Sequence, residues 1–214
     1  MLIRYYGHSL FTLETEGGTL IAFDPFDAHV GYPLPKLNPD VVLMSHAHSD
    51  HGNRALFENA QTVIDAAGVY PLKSGIEVTG IKAWHDAEQG IKRGPNILFK
   101  VQADGLTVAH LGDLGHELDE AQLKALGRVD ILFLPVGGFY TIDALTAKKV
   151  MEQVSPRITI PMHYKTEVNA EWPIAALDAF TRYFNTIPAA MPILRVTKED
   201  IACAASVCVM ERAE

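Results

Sequence analysis

A six-residue segment concentrates side chains that could bind divalent metal ions. Residues 46–51 read His-Ala-His-Ser-Asp-His and directly follow an apolar, β-prone run. Neutral imidazole and carboxylate are ligands that zinc and its neighbours accept. His46 and His48, two residues apart, can face one ion, and Asp50 and His51 can then turn to a second. Chance assembly of this pattern in the chain is on the order of one in a thousand by composition, so the segment predicts a metal centre.

Two metal ions need more ligands than one segment supplies, and three later positions offer them. His85, Asp113 and His163 each follow a β-prone run. An isolated histidine or aspartate at a strand end is more often structural. Their recurrence beside residues 46–51 indicates an active site built from the ends of several strands.

The elements that must position these residues can be outlined from hydrophobic patterning. The β-prone runs are 2–6, 10–14, 19–24, 41–44, 61–64, 76–84, 96–102, 106–110, 131–134, 158–160 and 206–210. Helices are predicted at 54–58 (with Asn53 as N-cap), 117–126, 143–154 and 174–183. The first three runs are separated by short turns, which predicts an antiparallel meander. Strand–helix alternation in the second half favours one α/β domain over residues 1–214, with two sheets packed face to face and helices outside.

Composition and charge restrict the functional classes. The chain has 214 residues and a net charge of −8, which makes a nucleic-acid partner and an anionic lipid surface unfavourable. Its apolar runs fall short of the ~20 residues of a membrane helix, and the N-terminal residues lack a signal-peptide pattern. Cys203 and Cys208 lack the CxxC spacing of a zinc site. We therefore expect a cytoplasmic protein with a small-molecule substrate and no membrane contact; self-association remains open.

Several further motifs extend the metal-type segment into a family resemblance. They are Tyr6-Gly7-His8-Ser9, Asp24-Pro25, Leu111-Gly112-Asp113-Leu114-Gly115-His116, Leu134-Pro135-Val136-Gly137-Gly138 and Pro161-Met162-His163-Tyr164. Together with residues 46–51 they resemble the metallo-β-lactamase superfamily, and more closely its small stand-alone hydrolases similar to the ascorbate-6-phosphate lactonase. The resemblance implies an α/β (α+β) fold, a four-layer αββα sandwich with the metals at one edge of the two sheets.

The resemblance also implies a role for each candidate residue. The first ion would be held by His46, His48 and His85. The second would be held by Asp50, His51 and His163, with Asp113 bridging the two ions. His8 would be an additional ligand or would support one, and His116 would donate a proton or orient a ligand. The implied catalytic residues are Asp50, Asp113 and His116.

These assignments point to a metal-dependent hydrolase. Two divalent ions outweigh the charge of two aspartates and a bridging hydroxide, so the centre suits an anionic phosphodiester or the oxyanion of an opening lactone. Zinc is the expected metal, with manganese, iron or nickel as alternatives. The alternative hypotheses to a hydrolase are a mononuclear iron oxygenase and a non-catalytic metal-binding protein. Oxygen-reducing relatives carry Glu at the position of His48, which favours hydrolysis.

Three loops are candidates to line the substrate pocket. They are 25–39, 87–96 and 136–143. Tyr32, Phe139, Tyr140 and Tyr164 could stack on a substrate, and Lys92 and Arg93 could hold a phosphate. The two remaining histidines are not expected to take part in the site: His29 is expected to be solvated and His110 to lie in the core.

Overall fold

The computed structural model describes the backbone of residues 1–184, 186–189, 192–203 and 206–214, and the side chains of these residues except 186–189, 202, 203 and 206. The strands are β1 (Leu2–Tyr5), β2 (Phe11–Glu14), β3 (Leu20–Phe23), β4 (Val41–Leu43), β5 (Thr62–Ile64), β6 (Gly68–Pro71), β7 (Glu77–Trp84), β8 (Pro95–Ala103), β9 (Leu106–His110), β10 (Ile131–Pro135), β11 (Ile158–Met162), β12 (Thr186–Ala189), β13 (Ile193–Arg195) and β14 (Ser206–Met210). The α-helices are α1 (Glu120–Leu126), α2 (Ala144–Val154) and α3 (Asp178–Thr181). Short 3₁₀ helices span Ala28–Val30, Arg54–Phe57, Lys73–Gly75 and Asp200–Cys203.

The strands form two mixed sheets. The six-stranded sheet has the order β13-β1-β2-β3-β4-β5, and the eight-stranded sheet the order β12-β14-β11-β10-β9-β8-β7-β6. The meander predicted for the first three strands is confirmed, because β1, β2 and β3 pair antiparallel in sequence order. β3, β4 and β5 pair parallel, as do β9, β10 and β11.

Strand direction brings the candidate ligands to corresponding sheet edges. β1 runs in the same direction as β3 and β4, because two antiparallel pairings separate it from β3. By the same reasoning β7 runs in the same direction as β9, β10 and β11. The segments that follow β1, β4, β7, β9 and β11 therefore leave their sheets at the edges where these parallel strands end.

The main core lies between the two sheets. Alternate residues point inward, so that Ile3 and Tyr5 of β1 are buried while Leu2 and Arg4, which alternate with them, are only partly covered. Phe11 of the first sheet stacks on Phe133 of the second, with ring centroids 4.1 Å apart and planes 5° from parallel. This apolar layer fixes one sheet on the other, and with them the strand ends that carry polar residues.

The outer faces complete the predicted αββα sandwich, which is confirmed. α1 and α2 cover the second sheet, packing on β7 and β10 respectively. The layer over the first sheet is built from short 3₁₀ helices and loops, whose Val30 and Phe57 pack on the sheet's outer apolar face. Asp143 caps α2 as expected, accepting a hydrogen bond from the Thr146 N–H.

Several predicted elements differ in the structure. Residues 54–57 form a 3₁₀ helix and Asn53 makes no side-chain capping bond. The helix predicted at 117–126 begins at Glu120, because Asp119 forms a capping box with Gln122. The helix predicted at 174–183 shrinks to α3.

Backbone hydrogen bonds explain the shortened helix. The Ala175 N–H donates to the Gly137 carbonyl and the Ala175 carbonyl accepts from Lys165, so this stretch is committed to a strand-like bridge. Strands β6, β12 and β13 were not predicted. No helix in the part of the chain that the structure describes is long and apolar enough to cross a membrane.

Candidate metal centre

The predicted ligands converge because each follows a strand end on the same side of the sandwich. Residues 46–51 follow β4, and His85 and His163 follow β7 and β11 directly. Asp113 comes three residues after β9, beyond Gly112. Gly112 has φ +53°, and a Cβ there would collide with Ser45 and Asn96, so the turn that delivers Asp113 requires glycine.

Asp113 lies at the middle of the resulting cluster. Its Oδ2 is 3.1 Å from His85 Nε2, 3.4 Å from His163 Nε2 and 3.8 Å from His46 Nε2. Its Oδ1 is 3.2 Å from His51 Nε2. One buried carboxylate therefore faces histidines from both expected metal sites.

The possible ligand atoms fall into three groups, each with all its atoms within 4.8 Å of one another. One group is His46, His48 and His85; another is His8, Asp50, His51 and His163; the third is His46, His51 and Asp113. The structure thus brings together all seven ligands expected from the resemblance, and His8 joins them. His8 Nε2 lies 3.3 Å from Asp50 Oδ2, so it can share an ion with that carboxylate or donate a hydrogen bond to it.

The hydrogen bonds around two of the histidines leave the ring nitrogen that faces the cluster free. Asp24 accepts from Ser45 Oγ at 2.7 Å and from His51 Nδ1 at 2.7 Å. Since the Ser45 hydroxyl proton goes to Asp24, its oxygen accepts from His46 Nδ1 at 2.9 Å. Both rings therefore carry their proton on Nδ1. The buried Nε2 atoms of His46 and His51 have no hydrogen-bond partner among the described residues, as expected of metal ligands.

The pKa values of the cluster residues also favour a bound cation. Burial lowers the pKa of His51, but Asp113, Asp50 and Asp24 outweigh it and raise this pKa to about 10. Burial raises the pKa of Asp113, yet the neighbouring His163 and His51 hold it well below its usual range. Burial lowers the pKa of His46 to about 3, so that ring is neutral at pH 7. Without a metal the His51 ring therefore holds an extra proton at neutral pH, and a divalent ion bound at its Nε2 would take the place of that proton. The site then offers neutral imidazole and ionised carboxylate, which fit divalent metal ions.

Three residues in or next to the cluster adopt left-handed backbone angles that favour glycine. They are His8 with φ 53°, Asp24 with φ 46° and His163 with φ 54°. Such conformations cost of order 1–3 kcal/mol each and persist where surrounding structure enforces them. Their concentration here is typical of a functional site.

His116 lies outside the ligand groups. Its Nε2 accepts from the Trp84 N–H at 3.2 Å and its Nδ1 is 2.7 Å from the Glu117 carbonyl. Both ring nitrogens thus form hydrogen bonds with the backbone, one of them with Trp84, the residue that precedes His85. The geometry favours the orienting role over the proton-donor role, and either role stays a prediction.

A cavity of about 400 Å³ opens over the cluster. It is lined by His29, His48, Asp50, His85, Arg93, Asp113, Tyr140 and Trp172. Each of the three loops proposed for the pocket contributes a residue. Of the other aromatic candidates, Tyr32 and Tyr164 are buried, and Phe139 is 62% exposed.

Three contributors escaped the site prediction. Asp24 was noted only as part of a motif, although it follows β3 just as the ligands follow their strands. Ser45 adjoins residues 46–51 but has no metal-type side chain. Trp172 stacks on His29, with centroids 5.7 Å apart, and nothing in its local sequence signals the site. His110 is buried as expected, with Nε2 donating to the Ser9 carbonyl.

Comparison with known proteins establishes the class. The family model of the beta-lactamase superfamily domain matches residues 2–163. The chain belongs to this superfamily. Its relatives at 31–35% identity are metal-dependent hydrolases, and this chain is a metal-dependent hydrolase of the metallo-beta-lactamase superfamily.

The individual relatives extend along most of the chain. A UPF0173 metal-dependent hydrolase of Carboxydothermus hydrogenoformans is 31% identical over 83% of this chain and 88% of its own length. One from Archaeoglobus fulgidus is 33% identical over 78% of this chain and 84% of its own. A crystal structure from Thermotoga maritima, assigned to the Zn-dependent hydrolases of the superfamily, is 35% identical over 99% of both chains with a TM-score of 0.82.

Proposed function

We propose that this hydrolase holds two divalent ions, with zinc the metal expected first, and cleaves an ester-type bond, a lactone or a phosphodiester, of a small anionic substrate. His46, His48 and His85 would hold one ion. Asp50, His51 and His163 would hold the other, with Asp113 between them. The cytoplasmic location and the preference for a small molecule over a nucleic acid remain part of this proposal.

The position of Asp113 is the observation that carries the proposal. Its Oδ1 lies 3.2 Å from His51 Nε2, and its Oδ2 lies 3.1 Å from His85 Nε2 and 3.4 Å from His163 Nε2. A carboxylate so placed can contribute one oxygen to each ion and reduce the repulsion between two cations at short range. A single-ion site would not need histidines of both ligand groups around one carboxylate.

The bound ions would lower the pKa of water toward ~7 and polarise the bond to be cleaved. The protein's own side chains then hold and orient the reactants. Burial raises the pKa of Asp50, but His51 and His8 outweigh it and keep this pKa well below its usual range. Asp50 is therefore ionised at neutral pH and, being partly exposed in the cavity, can accept a hydrogen bond that orients the attacking water.

His8 supports this role. Burial and the adjacent His163 lower the pKa of His8 to about 4, so the ring is neutral at neutral pH. In that state its Nε2–H can donate to Asp50 Oδ2 without adding positive charge. Residues of the cavity wall, Tyr140 and Trp172 among them, can exclude water from the remaining part of the substrate.

A hydrolysis assay with two probes tests the proposal. Protein stripped by chelator and reloaded with zinc, manganese or iron is offered bis(4-nitrophenyl) phosphate and dihydrocoumarin, a lactone. We expect hydrolysis of at least one probe that depends on reloading and falls about 100-fold or more in Asp50→Asn. Asp178→Asn, the same change at an exposed carboxylate on α3, should keep full activity. Metal-loaded protein that cleaves neither bond type would refute the ester assignment.

A further inference from the structure

Arg93 stands where two cavities meet. One is the cavity over the metal cluster, and the other is a neighbouring cavity of about 440 Å³. Arg93 and His48 line both. The second cavity has apolar walls that include Met44, Pro95 and Ile97. A molecule with one group bound at Arg93 can therefore place a different group at the metal cluster, while the rest of the molecule lies in either cavity.

The backbone that carries Arg93 is held by a buried carboxylate. Asp86 accepts four backbone N–H bonds, from Glu88 at 2.8 Å, Gly90 at 2.9 Å, Lys92 at 3.0 Å and Arg93 at 2.8 Å. The loop also folds tightly on itself, since the Gly94 N–H donates to the Gly90 carbonyl. Arg93 therefore starts from a fixed point beside His85, unlike an arginine on a freely moving surface loop.

The charge of Arg93 has no counter-ion among the described residues, whereas the charge of the adjacent Lys92 is neutralised. Lys92 is 60% exposed and forms an ion pair with Glu88. Across the described residues, the half-buried Arg93 side chain makes no ion pair or hydrogen bond. Its guanidinium carbon instead lies 5.7 Å from the centroid of the Tyr140 ring. Contact with an aromatic face orients a guanidinium and leaves its N–H groups free for an oxyanion.

We propose that Arg93 binds an oxyanion group of the substrate, a carboxylate or a phosphate, separate from the bond that is cleaved. The inference rests on the proposed function in taking the cavity over the metal cluster as the substrate site. A planar guanidinium pairs with either oxyanion through two parallel hydrogen bonds. The substrate class is then a small ester or lactone that carries an additional acidic group, with Trp172 and Tyr140 facing its uncharged part.

Direct anion binding tests the proposal without requiring turnover. Zinc-loaded protein is titrated by calorimetry with inorganic phosphate and, separately, with glutarate. Arg93→Met should weaken binding of at least one anion about 10-fold or more, and Arg93→Lys by less, since the charge stays but the planar pair is lost. Lys92→Met is the matched control and should bind like the wild type. The backbone N–H to Asp86 persists in every variant, so the fold should too, as circular dichroism would show.

Each outcome decides the proposal. If Arg93→Met weakens only phosphate binding, the group bound at Arg93 is a phosphate, and if it weakens only glutarate binding, the group is a carboxylate. Either result, or weakened binding of both anions, supports the proposal. Equal binding by Arg93→Met and wild type, or no measurable binding of either anion by wild type, overturns it. Anion binding that depends on Arg93 in a protein without metal-dependent hydrolysis would refute the proposed function only. Metal-dependent hydrolysis with Arg93-independent anion binding would refute only this inference.

Discussion

Asp113 lies within 3.8 Å of four histidine nitrogens, and its environment shows what single residues contribute to the centre. The types and spacing of residues 46–51 suffice to predict a metal site, because few other roles require three histidines and an aspartate in six positions. The family resemblance supplies the remaining ligands. Asp24 could not be predicted in the same way. Its role depends on a 2.7 Å contact with His51 that only the fold creates.

The bridging role of Asp113 can be tested by removing its charge. Asp113→Asn keeps the shape of the side chain but supplies no anion between two cations. We expect loss of more than one ion's affinity and a fall in turnover of about 100-fold or more, beyond the range for residues that only support ligands. Metal content after dialysis, turnover and circular dichroism measure the three quantities. Retention of two tightly bound ions with near-normal turnover would show that Asp113 does not bridge.

At the scale of elements, the strands were more predictable than the helices. Alternating or continuous apolar runs indicate strands wherever one or both faces are buried, as in β4 and β10. The predicted helix at 174–183 has helix-forming residues. The N–H and carbonyl groups of Ala175 bond to Gly137 and Lys165 instead, so the first turn of that helix does not form. Such competition depends on partners distant in sequence. β6 begins with glycine and ends with proline, residues that are not typical of strands, so its pairing with β7 was not predicted.

The loop after β7 provides a prediction of pH-dependent stability. Burial raises the pKa of Asp86, but the backbone N–H groups of Arg93, Gly90, Glu88 and Lys92 outweigh it and lower this pKa to about 2. A carboxyl whose pKa is lower in the folded than in the unfolded protein stabilises the fold above its unfolded pKa. That stabilisation is lost as the pH falls toward the folded pKa.

Asp86→Asn should therefore lower the free energy of unfolding by about 1–3 kcal/mol near neutral pH, because an amide offers these donors one oxygen instead of two. The difference from wild type should persist down to about pH 5 and shrink between about pH 4 and pH 2. Urea unfolding of both proteins across this range measures it, with Asp178→Asn as the control that should show no such gap. A gap of constant size down to pH 3 would contradict the assigned role of the Asp86 carboxylate.

At the scale of the whole molecule, the centre is a product of both sheets. His46, His51 and Asp50 follow a strand of the first sheet, whereas His85, Asp113 and His163 follow strands of the second. Packing such as Phe11 on Phe133 sets the distance between the two groups of ligands. The two-sheet arrangement was predictable from strand patterning together with the resemblance, but the substrate cavity was not. Its shape depends on where loops such as that of Trp172 come to rest. A single domain over residues 1–214 stays a proposal.

The metal content of the protein tests the central claim most directly. Protein purified without chelator, reloaded with zinc and passed through a desalting column is measured by inductively coupled plasma mass spectrometry against protein concentration. The separate ligand groups of His46, His48 and His85 and of Asp50, His51 and His163, with Asp113 close to histidines of both, predict about two ions per chain. A ratio that stays at one after reloading would contradict the dinuclear account and favour a mononuclear centre.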